Sequence, residues 1–423
     1  MKVVIHTLNF WPEPVSTGKY TGELGFALAE RGHSVGVVTS PPYYPNWKIF
    51  DGFQAIRFET QVIDGVEITR CPLWVPVRPT GVKRILHLAS FGLSSLPVII
   101  KKAWERPDLI IVIEPTLFCL PGAWLAARLC GAKAWLHIQD FEVDVAFELG
   151  ILKRKWLQRL VSTIEGFWMR RFDRVSTITP RMVERLKDKG VKPGNSILLP
   201  NWVDCTAIFP ILDNGPLKEV LGLPSHKCIA LYSGNIGEKQ GLEMIIDAAR
   251  QLSHAADLHF VICGHGAALE RLKDYAGQME NLTWLPVQPV EKLNQLLNAA
   301  DIHLLPQRAD VADLVMPSKL TGMLASGRPT VATAYPDTQL AKVLDGKGKV
   351  VPPGDVRRFA EAISTLVADP DQRYLYGKVA RRYAVEHLGM EQIIDRFLRE
   401  AERLGPNASK FRGHAEWTDR RVP

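Results

Sequence analysis

The sequence has only six cysteines in 423 residues, and no two of them form a CxxC pair. Cys71, Cys119, Cys130, Cys205, Cys228 and Cys263 are scattered, mostly in apolar surroundings. That pattern argues against a disulfide framework or a thiolate metal site and fits reduced, buried thiols in a cytosolic compartment. No leader pattern opens the chain, since Met1-Lys2 runs straight into the strand-like "VVIHTL". No repeat of solenoid period occurs. The stretch "VKRILHLASFGLSSLPVIIKKAW" (82–104) has basic flanks but contains Pro97, and its apolar run falls short of the roughly 20 residues a spanning helix needs. The one D-x-D, Asp369-Pro370-Asp371, lies between helical patterns and reads as a turn, so the sequence offers no metal motif. No nucleic-acid module is recognisable, so nucleic acid is not an expected partner.

What is present is a soluble globular composition, 46% hydrophobic and 23% charged, in a chain too long for a single core. The net charge of +7 is uneven. Residues 1–200 hold 26 Lys and Arg against 18 Asp and Glu, a balance of +8, while residues 201–423 hold 26 against 27, or −1. An anionic partner should therefore meet the first half.

The first half alternates strands with amphipathic helices: "KVVIHTL", the helix "GKYTGELGFALAERG", "SVGVVTS", "DLIIVIEP" (108–115), "KAWLHIQD" (133–140), "RVSTITP" and "SILLP". The proline-containing, aperiodic "LLPNWVDCTAIFP" (198–210) reads as a linker. The rhythm then restarts with "CIALYSGN", "LHFVICG", "LTWLP" and "IHLLP", each followed by a helix or a loop opening one. The expected fold is α/β with two Rossmann-like, doubly wound domains, over 1–200 and 201–370. Helices in 371–404 are expected to pack back towards the first domain, and 405–423 is polar, aperiodic and expected to be disordered. Two such sheets would leave a cleft between their carboxyl ends, where ligands of open α/β sheets bind.

Three loops of the second half end strands and suit a phosphate or nucleotide. "YSGNIGEKQGLE" (232–243) is glycine-rich and opens a helix, so its amides and Lys239 could meet an anion. "VICGHGAAL" (261–269) has GxG after a strand but lacks the third glycine of a dinucleotide fingerprint. "DLVMPSKLTGMLASGRPTVATA" (313–334) places Pro317, Ser318 and Lys319 at a helix start. Each loop could equally be a tight turn with solvated polar residues; together they fit a diphosphate. In the first half, "NFWPEPVSTGKYTGE" (9–23) could touch a phosphate or be an ordinary cap. "WLHIQDFEVD" (135–144) gathers His137, Asp140, Glu142 and Asp144 at a strand end, where the histidine is catalytic or a satisfied packing residue.

Through "STGKYTGE", "PPYYPNW" (41–47), "HIQDFEVD", "PNWVD" (200–204), "YSGNIGEKQGLE" and "DLVMPSKL...ASGRPTVATA", the chain resembles the family 4 glycosyltransferases of the two-domain GT-B type over roughly residues 1–400. The nearest subfamily is that of the colanic acid biosynthesis glycosyltransferases. The resemblance implies a retaining transfer of a sugar, fucose being the lead, from a GDP- or UDP-linked donor to a polyprenyl-diphosphate-linked glycan, in the assembly of a surface polysaccharide such as capsule or O-antigen. It places Asn235, Lys239, Gln240, Ser318 and Lys319 at the donor diphosphate, Gly264 and Gly266 along the nucleoside, and Val287 and Gln288 at the base. Gly18 would approach the phosphate, and His137 the donor sugar; Asp140, an acidic neighbour able to orient or charge the histidine, is the second catalytic candidate.

Two departures from the family matter. Relatives carry a pair of glutamates around the 319 helix, the second touching the ribose, at positions that here read Leu314 and Gly322. Relatives also carry Arg and Lys where this chain has Asn235 and Gln240. The leaving diphosphate would be stabilised by Lys239, Lys319 and helix amides, with no metal or other cofactor required.

The basic excess concentrates in "ILKRKWLQRLVSTIEGFWMRRFDR" (151–174), where Lys153, Arg154, Lys155, Arg159, Arg170, Arg171 and Arg174 are interspersed with Trp156, Phe167 and Trp168. Such a helix suits the anionic inner face of a bacterial plasma membrane, with the enzyme peripheral on it, or else packs as an ordinary solvated helix. Alternatives to the transferase are a weakly active or non-catalytic partner protein of the same pathway, a GT-B-like sugar-nucleotide epimerase and, on the basic first half less favoured, a soluble disaccharide synthase.

Overall fold

The computed structural model describes residues 1–14, 16–77, 80–141, 155–308 and 317–405, apart from the side chains of Ser16, Lys155, Leu157, Gln158 and Lys239. The chain divides into two units, Met1–Pro200 with the residues from Ile394 onward, and Asn201–Ile393.

The first unit is built on an eight-stranded sheet with strands β1 (Lys2–Thr7), β2 (Ser34–Thr39), β3 (Glu59–Ile63), β4 (Val66–Arg70), β5 (Leu109–Glu114), β6 (Lys133–Ile138), β7 (Arg174–Thr177) and β8 (Ser196–Leu198). Their order is β3-β4-β2-β1-β5-β6-β7-β8, parallel except for the β3–β4 hairpin. Asp64 and Gly65 turn that hairpin with φ of 47° and 78°, the left-handed pair that a two-residue turn demands. The central strands are continuous apolar runs because helices cover both faces; β5, "LIIVIE", is buried at every position.

The second unit has a six-stranded, all-parallel sheet: β9 (Cys228–Ser233), β10 (Leu258–Cys263), β11 (Leu282–Leu285), β12 (Ile302–Leu305), β13 (Thr330–Thr333) and β14 (Gly348–Val351). The order β11-β10-β9-β12-β13-β14 reverses direction between β9 and β12. Loops leaving the carboxyl ends of strands on either side of such a reversal are where open α/β sheets receive ligands.

Helix Gly81–Ala103 differs from the expectation of a short apolar run. It is 23 residues long, continues through Pro97, and is long and apolar enough by length and composition to cross a membrane. Its His87, Phe91, Ser95, Ile99 and Lys102 are nevertheless buried in the first unit, so it is part of that unit's core.

Of the helices in 371–404 expected to return to the first domain, Pro370–Tyr383 stays with the second. A Cβ on its Gly377 would meet the carbonyl oxygen of Gly327 at 2.2 Å, so the helix lies directly on that turn. From Ile394 the chain joins the first unit, where Phe397 stacks on Trp135 at 4.7 Å and Glu400 pairs with Arg174 at 3.2 Å. The Asp369-Pro370-Asp371 stretch is a helix start, with Asp369 Oδ1 accepting from the Gln372 amide at 2.8 Å. The aperiodic linker is ordered against the second unit: Val203 and Gly389 form a β-bridge, and the Arg381 guanidinium donates to the carbonyls of Cys205 and Ile208.

Candidate active site

In the second unit the site grows from the loops after β9, β10, β11 and β12. Lys319 opens the seven-residue helix Lys319–Ala325, and its side chain runs back under the β9 loop. Its Nζ donates to the Tyr232 phenol oxygen at 2.8 Å and lies 4.1 Å from the centre of that ring. A Cβ on Gly234 would come 3.0 Å from the same nitrogen, so a side chain there would press on the ammonium. Tyr232, fully buried, donates in turn to the Asn235 carbonyl at 2.6 Å. Burial lowers the Lys319 pKa to about 7 and pushes the Tyr232 phenol well up. Among the described residues no carboxylate is bonded to this lysine, and a desolvated cation of that kind favours an anionic ligand.

The glycines expected along the nucleoside have a packing reason of their own. A Cβ on Gly264 would sit 1.9 Å from the Gly234 oxygen, and one on Gly266 would sit 2.2 Å from the Ile236 oxygen. The β9 and β10 loops are zipped together: Gly234 donates to the Cys263 carbonyl, Ile236 to that of His265, and Ala268 to that of Ile236. The Gly264 amide is likewise spent on the Leu285 carbonyl. These four amides are therefore spent within the loops, since a donor already paired has little left for a ligand. Among the described residues, Lys319 is the lysine bonded into the β9 loop.

Other expected donor residues are placed as follows. Asn235 is exposed at the rim of the β9 loop. Gln240 closes a single 3-10 turn, Glu238–Gln240, and its Oε1 is buried with no hydrogen-bond partner. The side chain of Lys239 lies outside the described residues. Gln288 donates to the Pro286 carbonyl at 3.0 Å, holding the β11 loop. Ser318 does not cap: its side chain accepts no amide and is exposed. The helix behind it is also too short to contribute much dipole. Leu314 and Asp313 lie outside the described residues, and a Cβ on Gly322 would meet only the terminal Cδ1 of Leu297, at 3.3 Å.

In the first unit, His137 is near the end of β6 but turned inward, 5% exposed. Its Nε2 accepts from the Gln139 side-chain amide at 2.9 Å, so by the bonding pattern the ring hydrogen sits on Nδ1 and is donated to Ser176 Oγ at 2.8 Å. Trp135 Nε1 donates to the same oxygen at 2.8 Å. Burial lowers the His137 pKa to about 4. Both nitrogens are bonded within the unit, and the ring buttresses Gln139. Asp140 is half-buried just beyond the strand, while Glu142 and Asp144 lie outside the described residues.

Gly18 is bare because of Glu13: a Cβ there would lie 2.6 Å from the Glu13 Cβ. Glu13, 2% exposed, accepts from the Tyr43 and Tyr44 amides and from Asn9, joining the 9–23 stretch to "PPYYPNW". Burial raises its pKa, which those hydrogen bonds and Arg70 oppose. Glu13, Gln139, Ser176 and Tyr232 are not singled out by the sequence pattern, because each acts through side-chain hydrogen bonds that spacing does not reveal.

On the acceptor side, Trp156 is 60% exposed. Trp168 instead packs on Trp124, with centroids 5.9 Å apart. Arg171 lies over the Phe167 ring, and Arg170 donates to the Lys189 carbonyl at 3.0 Å. Arg174, paired with Glu400 and nearly buried, is a structural residue rather than a surface charge. Lys153, Arg154 and the side chain of Lys155 lie outside the described residues.

The fold is that of GT-B glycosyltransferases: it matches sucrose-phosphate synthase from Thermosynechococcus elongatus with a TM-score of 0.74 at 17% identity, covering 96% of this chain and 99% of that one. A second match, to HepE of Anabaena solved in complex with UDP, has a TM-score of 0.69 at 13% identity over 95% of this chain and 100% of that one. In sequence, residues 17–202 match the glycosyl transferase 4-like domain and residues 227–369 the glycosyl transferases group 1. The chain is 40% identical to the Escherichia coli (strain K12) protein named as the colanic acid biosynthesis glycosyl transferase WcaI, over 95% of this chain and 99% of that one. The protein belongs to the group 1 glycosyltransferases with a 4-like amino-terminal domain, and it is a glycosyltransferase.

Proposed function

We propose that the protein transfers a sugar, with retention at the anomeric carbon, from a nucleoside-diphosphate sugar to a polyprenyl-diphosphate-linked glycan in the assembly of a colanic-acid-like surface polysaccharide. The observation that carries the donor half of this reading is Lys319. A half-buried ammonium, bonded to a neutral phenol and held below the usual lysine range, gains most from a diphosphate, which supplies the missing counter-charge. The charge that develops on the departing diphosphate is greatest in the transition state, so the same contact favours departure. Lysine charge is sufficient for this role, and the reading invokes no metal or other cofactor. The 40% identity to WcaI supports the pathway, HepE of the same fold is solved with UDP, and GDP-fucose is the lead donor by subfamily resemblance alone. The acceptor and the peripheral placement on the inner face of the plasma membrane rest on the basic first half of the chain.

A panel of GDP- and UDP-sugars, read by thermal shift and by release of nucleoside diphosphate with and without extracted polyprenyl-linked glycans, tests this reading. Stabilisation by one donor, and turnover that rises with the lipid extract, are expected. Turnover yielding an isomerised donor with no acceptor would instead make the protein an epimerase.

A further inference from the structure

Helix Gly81–Ala103 buries one face and leaves another bare. On the bare side Val82, Leu86, Leu93, Leu96 and Trp104 are 71%, 54%, 74%, 40% and 81% exposed. Their spacing, four, seven, three and eight residues, keeps them on one stripe along the helix. The neighbouring helix Leu120–Cys130 extends the stripe sideways: a Cβ on its Gly122 would touch Leu96 at 2.8 Å, and one on Gly92 would touch Phe118 at 2.6 Å. Leu125 and Leu129, three and seven residues beyond Gly122, are 44% and 63% exposed on the same flank. Exposed apolar side chains gathered along one flank of two packed helices mark an interaction site.

The charges identify the occupant. Every charged residue of the two helices is basic: Lys83, Arg84, Lys101 and Lys102 on the first, Arg128 on the second. Lys102 turns inward to Glu67 and Glu105, Arg128 pairs with Asp173 at 3.7 Å, and Lys83 and Lys101 are exposed. A second copy docked face to face would bring these like charges together without an acidic residue on either helix to receive them. An anionic bilayer surface takes both features at once, the apolar stripe into the acyl boundary and the lysines at the headgroups.

We propose that this two-helix face docks the protein on an anionic lipid bilayer, with helix Gly81–Ala103 lying in the plane of the interface. It does not insert across. His6 bonds Ser95 at 2.9 Å, His87 bonds the Trp74 carbonyl at 2.7 Å, and Lys102 holds two carboxylates, so withdrawing the helix would leave buried polar groups unpaired. Trp104, at the end of the stripe, is the residue type that settles at headgroup level. The purpose of this docking rests on the lipid-linked acceptor proposed above, but its test does not.

The full-length protein is floated with vesicles of phosphatidylethanolamine and phosphatidylglycerol, beside vesicles of phosphatidylcholine alone. The expected result is binding to the anionic vesicles and a loss of about tenfold or more in the partition coefficient for the doubly substituted Leu86→Glu, Leu93→Glu. Val62→Glu, at an exposed position on β3, should bind as the parent does. Because the substituted leucines are exposed, the donor-induced thermal shift should be unchanged, which reports an intact fold. Absent parental binding, or a double variant that floats like the parent, overturns the proposal. So does a parent that sediments as a dimer and is made monomeric by Leu93→Glu, because the face would then be a homodimer interface. If flotation behaves as expected and no sugar reaches a lipid extract, the docking stands and the proposed acceptor falls.

Discussion

The Lys319 ammonium donates to the Tyr232 phenol at 2.8 Å, and the phenol passes its own hydrogen to the Asn235 carbonyl at 2.6 Å. This chain joins the helix start after β12 to the loop after β9, the two strands between which the sheet order reverses. It fixes a cation at the one edge of the sheet where the fold makes room for a ligand.

Replacing Lys319 with alanine should weaken nucleoside-diphosphate binding by about 1–3 kcal/mol, the range for a lost charged hydrogen bond. Calorimetric titration of GDP and UDP measures this. Unchanged affinity for both would remove Lys319 from the site.

The same residue should cost the free protein stability. Its pKa is lowered from 10.5 to about 7. Between those values the unfolded chain holds a proton that the folded chain has released, so stability from this group is full above pH 10.5 and declines as pH falls towards 7. Lys319→Met keeps the bulk without the charge. It should raise the ligand-free melting temperature by roughly 2 °C at pH 6 and by little at pH 10, and a variant less stable than the parent at pH 6 would contradict the assignment.

His137, neutral and bonded at both nitrogens, should contribute no ionisation to the pH profile of transfer above pH 5; its pKa is about 4. Nitrogen NMR of the imidazole should show the Nδ1–H form from pH 5 to 8. His137→Ala should destabilise the first unit by about 1–3 kcal/mol, because Ser176 and Gln139 lose their partner. An imidazole titrating near 6.5 would instead favour a proton-transfer role.

Gly264 and Gly322 separate packing from tolerance. Gly264→Ala forces a Cβ against the Gly234 oxygen at a φ of +153°, and a loss of about 3 kcal/mol is expected in chemical denaturation. Gly322→Ala meets only a leucine methyl and should be within about 1 kcal/mol of the parent, helped by alanine's helix preference.

The architecture was largely legible in the sequence, because parallel strands buried on both faces are continuous apolar runs that stand out between helical patterns. The β3–β4 hairpin is less legible, although "VIDGVEI" carries an Asp-Gly turn between alternating residues, because half-exposed edge strands lack the apolar run. Lys319 was readable from its place after a strand and before a helix. Its contact with Tyr232 was not, because 87 residues separate them. The glycine loops have a use that the pattern does not reveal: they let two loops share hydrogen bonds. Arg174 likewise looked like one of a basic cluster until Glu400, near the other end of the chain, supplied its partner.

Proton uptake on nucleoside-diphosphate binding tests the role of Lys319 most directly, measured at pH 8 by calorimetry in buffers of different ionisation enthalpy. A lysine with a pKa of about 7 is mostly neutral at that pH and must be charged to pair with a diphosphate. The parent should take up close to one proton per nucleotide bound and Lys319→Met about none. Binding by the parent without uptake, or equal uptake by the variant, would contradict the assignment.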